Sequence, residues 1–169
     1  MSAVIENHEH DHHGPQKGIL RWLFTTNHKD IGTLYLWFSF LMFLTGGAMA
    51  MGIRAELFEP GLQLMDPIRY NQLVTMHGLI MIFGAVMPAF VGLANWLIPM
   101  QIGAPDMALP RMNNLSFWLL PSAFIILLST AFMEGGMPGF GWTFYAPLST
   151  NYPNICLLYT SPSPRDDEL

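Results

Sequence analysis

The sequence predicts an all-α membrane protein with three transmembrane helices, and three observations carry that class. Hydrophobic residues make up 51% of the 169 residues. Charged residues make up 11%, against roughly 25% in an ordinary soluble domain. The formal charges are also gathered so that three long stretches have none: Ile31 to Ile53, Tyr70 to Pro105 and Met112 to Met133. A helix needs about 20 predominantly apolar residues to cross a ~30 Å hydrocarbon core, and each stretch meets that length.

The elements follow in chain order. Residues 1–18 are polar and carry His8, His10, His12 and His13. A tract of that kind can bind divalent metal, but its composition is first that of a disordered tail. RWLFTTNHKDIG reads as an interfacial arm, with Trp22 and Phe24 at headgroup level and Arg21 and Lys29 facing anionic lipid. Helix one is expected over about 31–54, and its Gly46, Gly47 and Ala50 form a small-residue patch suited to close helix packing. Helix two is expected over about 70–100 and helix three over about 113–133. Pro88 and Pro121 each remove a backbone donor inside these helices and predict a kink. The uncharged run from Gly135 to Pro164 is too rich in Gly and Pro to span lipid, so it is expected to be a loop.

Composition also excludes some functions. The seven basic residues are scattered and form no patch for nucleic acid, and a single cysteine, Cys156, rules out an internal disulfide. The first 15 residues are acidic and His-rich, unlike a cleavable signal. Lys17, Arg21, Lys29 and Arg111 share one side of the predicted bundle. Arg54 and Arg69 lie on the other, diluted by Glu56, Glu59 and Asp66. That bias places the N-terminus of a multi-pass protein on the inner, cytoplasmic side of its membrane.

The polar residues at depth are the functional candidates. His77 is an ionisable group near the start of the longest apolar run, which is a costly place for one. On the residues alone it is as readily a metal ligand as a structural hydrogen-bonding group. Arg54 closes helix one and can share its depth if the first two helices pack antiparallel. It is an interfacial anchor or a donor to whatever His77 binds. Tyr70 and Trp142 belong to the same layer. Asn95 lies 18 residues beyond His77, roughly 27 Å at helical rise, near the opposite face with Asp106 and Asn113. These three are a turn and an N-cap in one reading and a proton entrance in the other.

Five segments then stop being generic: RWLFTTNHKDIGTLY, IRAELFEPG, TMHGLIMIF, IGAPDMALPRMNNLSFW and GWTFYAPL. Together, over residues 19–150, they resemble the N-terminal part of subunit I of bacterial cytochrome c oxidase, a haem–copper terminal oxidase. The resemblance implies that His77 is an axial ligand of a low-spin haem A. It implies that Arg54 meets the formyl group of that haem and that Tyr70 and Trp142 line its pocket. It further implies that Asp106 opens a proton channel containing Asn95 and Asn113, and that Glu56, Gly61 and Gln63 resemble a Ca²⁺ or Na⁺ site. The implied partners are membrane lipid, oxidase subunits II and III, and cytochrome c. The implied reaction is electron transfer to O₂ with coupled proton pumping. The ligands of copper, of the oxygen-binding haem and the second ligand of the low-spin haem are not in this chain, so it is expected to be inactive alone. Residues 151–169 depart from the pattern, and CLLYTSPSPRD resembles adapter-derived sequence. A quinol oxidase subunit I and a non-catalytic three-helix membrane protein are the alternatives.

Overall fold

A computed structural model describes residues 18–61, 63–133, 136–143, 145–146 and 148–151. The His-rich tail and nearly all of segment 151–169 lie outside the described residues. Those described contain only helices, turns and bends. A short helix α1 (Ile19–Leu23) precedes α2 (His28–Glu56). Next comes one continuous helical span made of α3 (Pro67–Leu79), a π-helical segment (Ile80–Val86) and α4 (Met87–Ile102). The third span is α5 (Pro110–Ser129), which tightens into a 3₁₀ turn over Thr130–Phe132, and α6 (Leu148–Asn151) follows the last loop. All three spans are long and apolar enough to cross a membrane.

Each span begins two or three residues before the uncharged run does, because charge marks the edge of the dry region and the caps mark the edge of the helix. Asn27 accepts the Lys29 N–H at 3.0 Å and starts α2. Asp66–Pro67 and Leu109–Pro110 start α3 and α5 with proline at the first helical position, where its missing N–H removes no helical bond. Asn113 is therefore inside α5, its N–H bonded to Leu109 O at 3.1 Å, and is not the N-cap of the sequence reading. Gly103, at φ 69°, ends α4 in the left-handed conformation that glycine tolerates.

The α3–α4 span runs antiparallel to α2 in very close contact. A methyl group on Gly32 would lie 2.9 Å from Gly92 O and 2.9 Å from the Trp96 ring, and one on Gly46 would lie 2.6 Å from Met81 Sδ. Near the far end, one on Gly52 would lie 3.2 Å from Leu73. Three glycines thus let α2 lie against its neighbour along its length, as expected where lipid supplies no drive between helices. Phe117 and Phe124 of α5 pack on the other flank of α2. Tyr35–Phe117 and Phe38–Phe124 meet edge to face at 5.1 and 5.5 Å, around a core of Ile31, Met76 and Ile80.

Pro88 disturbs the helix in a specific way. The ladder loosens into the π segment just before it, where Met87 N–H reaches Ile82 O. Ser39 of α2 donates to the Ala85 carbonyl at 2.7 Å inside this segment, satisfying a buried acceptor from across the helix interface. Pro121, by contrast, sits within a stretch that stays α-helical.

Both ends are tied down. The α1 arm is held to α5 where the Asn114 and Trp118 side chains donate to Leu23 O at 3.0 and 3.1 Å. Arg21 pairs with Asp30 at 3.1 Å. At the other end the loop after α5 folds back on α3, where Gly141 N–H donates to Thr75 Oγ1 at 2.9 Å.

Candidate functional site

His77 lies ten residues into α3, about 15 Å along the helix at ~1.5 Å per residue. This is deeper than the sequence suggests, since the helix begins at Pro67. Its Nδ1 stands 2.9 Å from the Gly46 carbonyl oxygen. A carbonyl only accepts, so Nδ1 carries a proton and donates, which in the neutral ring leaves the lone pair on Nε2. No described residue bonds Nε2. A neutral imidazole with one nitrogen oriented by a carbonyl and the other bare is the arrangement that protein metal ligands use.

The space beside the ring is open. A Cβ on Gly47 or on Gly78 would meet nothing within 4 Å. Each residue follows its helix's member of the Gly46–His77 pair and is turned about 100° from it. Because the helices are antiparallel, the two rotations carry both glycines to the same side of the α2–α3 pair. They leave bare backbone on that side, next to the Gly46–His77 contact. Arg54, eight residues after Gly46, is turned about 80° to that same side but sits some 12 Å farther along α2. The sequence reading placed Arg54 and His77 at similar depth. The observed pairing of Gly52 with Leu73 separates them by about two turns and puts Arg54 level with the start of α3. Tyr70 is half-buried there, two turns before His77 and on nearly the same face.

Trp142 is not brought to His77 by any described contact. It follows Gly141, which is bonded to Thr75, and Thr75 lies about 200° around α3 from His77. Its side chain is 54% exposed.

A second polar group occupies the α1 side. Asn95 Nδ2 donates to Asn113 Oδ1 at 3.2 Å, joining α4 to α5, and Asn113 Nδ2 reaches Met107 Sδ at 3.2 Å. Asp106 is exposed beside them, its Oδ1 accepting the Met107 N–H at 2.8 Å. The sequence reading missed His28, which is buried in this group with Nδ1 2.9 Å from Asn95 O. The signal was a histidine immediately after the Asn27 cap.

The Glu56 loop is held together by the Glu56 carboxylate. Oε1 of Glu56 accepts the Gln63 N–H at 3.0 Å, and Oε2 accepts those of Leu64 and Met65 at 2.8 and 3.1 Å. Gln63 Nε2 turns to Glu59 at 3.4 Å, and Gly61 is exposed at φ 112°. Three N–H donors ring this carboxylate, and with them Glu56 closes the loop between α2 and α3. Among the described residues no three His, Cys, Asp or Glu side chains gather as a metal site.

Fold and site together define a multi-span membrane protein whose antiparallel helix pair carries a histidine with one ring nitrogen held by a backbone carbonyl and the other unbonded among the described residues, near two glycines with open space at their Cβ positions. The comparisons with known proteins then give the family. Residues 30–162 match the family described as "Cytochrome C and Quinol oxidase polypeptide I", a match that ends inside segment 151–169. A protein of Streptomyces avermitilis provisionally named cytochrome c oxidase subunit 1-beta is 48% identical over 136 residues, which are 80% of this chain and 24% of that protein. Cytochrome c oxidase subunit 1 of Corynebacterium diphtheriae is 46% identical over 138 residues, again 80% of this chain and 24% of the relative. That of Corynebacterium efficiens is 46% identical over 136 residues, 79% of this chain and 23% of the relative. The chain belongs to the cytochrome c and quinol oxidase polypeptide I family. It spans about a quarter of the length of the curated relatives it matches.

Proposed function

We propose that this chain is part of the catalytic subunit of a respiratory cytochrome c oxidase, and that His77 is an axial ligand of its low-spin haem A. The observation that carries the reading is the His77 ring itself, with Nδ1–H held by Gly46 O at 2.9 Å and Nε2 unbonded among the described residues, near Gly47 and Gly78. The donor suits haem iron, and the open space at the two glycines suits a flat macrocycle. When bound, the haem supplies one-electron transfer. The chain's own residues orient the ligand, exclude water from its inner face through Met76 and Ile80, and offer Arg54 and Tyr70 along the same side of the α2–α3 pair toward the far end. Trp142 joins them only if the loop after α5 is carried round α3 when the rest of the subunit is present.

At the α1 side, Asp106 with Asn113 and Asn95 forms the proton entrance in this reading. An exposed carboxylate collects the proton, and the joined amides lead from it between α4 and α5. The complete subunit, with subunits II and III, reduces O₂ to water with electrons from cytochrome c and pumps protons. It lies in the bacterial inner membrane with the α1 side in the cytoplasm. Copper and the oxygen-binding haem are held by parts of the subunit beyond these residues. The electron donor is cytochrome c rather than quinol, in keeping with relatives that are named cytochrome c oxidase subunits.

The test is His77→Ala in the oxidase assembled with the complete subunit. Loss of the low-spin haem band is expected, and an unchanged band overturns the assignment. Asp106→Asn should slow turnover and lower the protons pumped per electron. Wild-type stoichiometry in that variant would remove the proton role.

A further inference from the structure

We infer that Gly46 is the positioning residue for His77, fixing the tautomer, aim and donor strength of the ring through its backbone carbonyl. The inference rests on the reading of His77 as a haem ligand and goes beyond it. Two independent observations converge on Gly46. Its carbonyl oxygen is 2.9 Å from Nδ1. Its missing Cβ is also required, since a methyl there would stand 2.6 Å from Met81 Sδ, 2.9 Å from Met81 Cγ and 3.4 Å from Ile80 Cγ2.

Those neighbours sit where the helix changes register. Ile80 N–H is shared between His77 O and Met76 O, and the π segment begins at Ile80. The Met81 side chain, one turn after the ring, is thus pressed against the glycine that holds the ring. Met81 is half-buried, and the fully buried Ile80 is already in contact beside it. With Met81 Cγ as well as Sδ in the way, a methyl on Gly46 displaces that side chain from its root and, in this inference, parts α2 from the π segment and lengthens the Nδ1–H···O bond. That bond makes the imidazole a stronger donor, which favours ferric over ferrous iron and holds the reduction potential down. Weakening it shifts the equilibrium toward the ferrous state.

The experiment uses the assembled oxidase. Gly46→Ala should keep the low-spin haem, raise its reduction potential and shift its visible band. Gly46→Ala combined with Met81→Ala removes the crowding sulfur and should move both readouts back toward wild type. Gly32→Ala clashes with backbone at the other end of α2, against Gly92 O at 2.9 Å, and should lower stability with no change in potential. A wild-type potential in Gly46→Ala, or an equal shift in Gly32→Ala, overturns the inference while the ligand reading stands. Retention of the haem in His77→Ala overturns the ligand reading instead. If Gly46→Ala fails to assemble, infrared difference spectra of the wild-type enzyme labelled with carbonyl-¹³C glycine decide the question. A glycine carbonyl band coupled to haem oxidation supports the inference, and its absence overturns it.

Discussion

The contact between α2 and α4 can be tested with a pair of glycine substitutions of opposite sign. In a helix interior, Gly→Ala gains about 1 kcal/mol from propensity alone. At Gly47 nothing lies within 4 Å of the new methyl, so that gain should appear in full. At Gly92 the methyl would stand 3.0 Å from Gly32 O, 3.0 Å from Tyr35 Cβ and 3.1 Å from Leu36 Cγ. Two of these atoms are fixed to the backbone of α2 and cannot rotate away. Overpacking of this kind costs about 1–3 kcal/mol, which equals or exceeds the propensity gain. Gly92→Ala should thus be less stable than Gly47→Ala by about 1–3 kcal/mol, the overpacking term left once the common propensity gain cancels. The chain would be unfolded with SDS in mixed micelles and followed by circular dichroism at 222 nm, a standard helix wavelength. Equal stabilities, or a more stable Gly92→Ala, would refute the antiparallel glycine contact that sets the height of His77 against Gly46.

Three further outcomes follow from single contacts. Ser39→Ala leaves the buried Ala85 carbonyl without its donor and should cost about 1–3 kcal/mol in the same assay, where an unchanged midpoint counts against the bond. The Asn95–Asn113 pair should show a coupling of about 0.6 kcal/mol in a double-mutant cycle with leucine at each position, the average for hydrogen bonds between membrane helices, and zero coupling refutes the contact. Glu56→Gln replaces one of two accepting oxygens with an N–H₂ group facing backbone N–H donors. Faster deuterium exchange at Gln63, Leu64 and Met65 is expected, and unchanged exchange would show that the carboxylate does not close the loop.

Much of the fold was legible because membrane solvent imposes a length and a polarity on each helix. The uncharged runs located all three spans, and the boundaries slipped by two or three residues only because charge and capping obey different constraints. The site was legible in part. His77, Asn95 and Asn113 were chosen as polar residues in an apolar setting, and two of them bond each other across helices. His28 was missed because its partner is a backbone carbonyl 67 positions away. The small-residue patch of Gly46, Gly47 and Ala50 suits packing, and its two glycines differ. One presses on Met81, and the other has open space where a Cβ would stand.

The sequence by itself determined the solvent, the number of spans and the residues expensive enough to need a reason. Those follow from composition and spacing along one chain, since the energy of placing a group in hydrocarbon depends on the group alone. Only the tertiary structure decided what His77 bonds, that no described residue bonds its Nε2, and how far Arg54 stands from it. These depend on the register of α2 against α3, which is fixed by glycine contacts and by a π segment before Pro88. A shift of one residue in that register would move each partner by about 1.5 Å along the axis and 100° around it, and nothing in the linear order of residues records it.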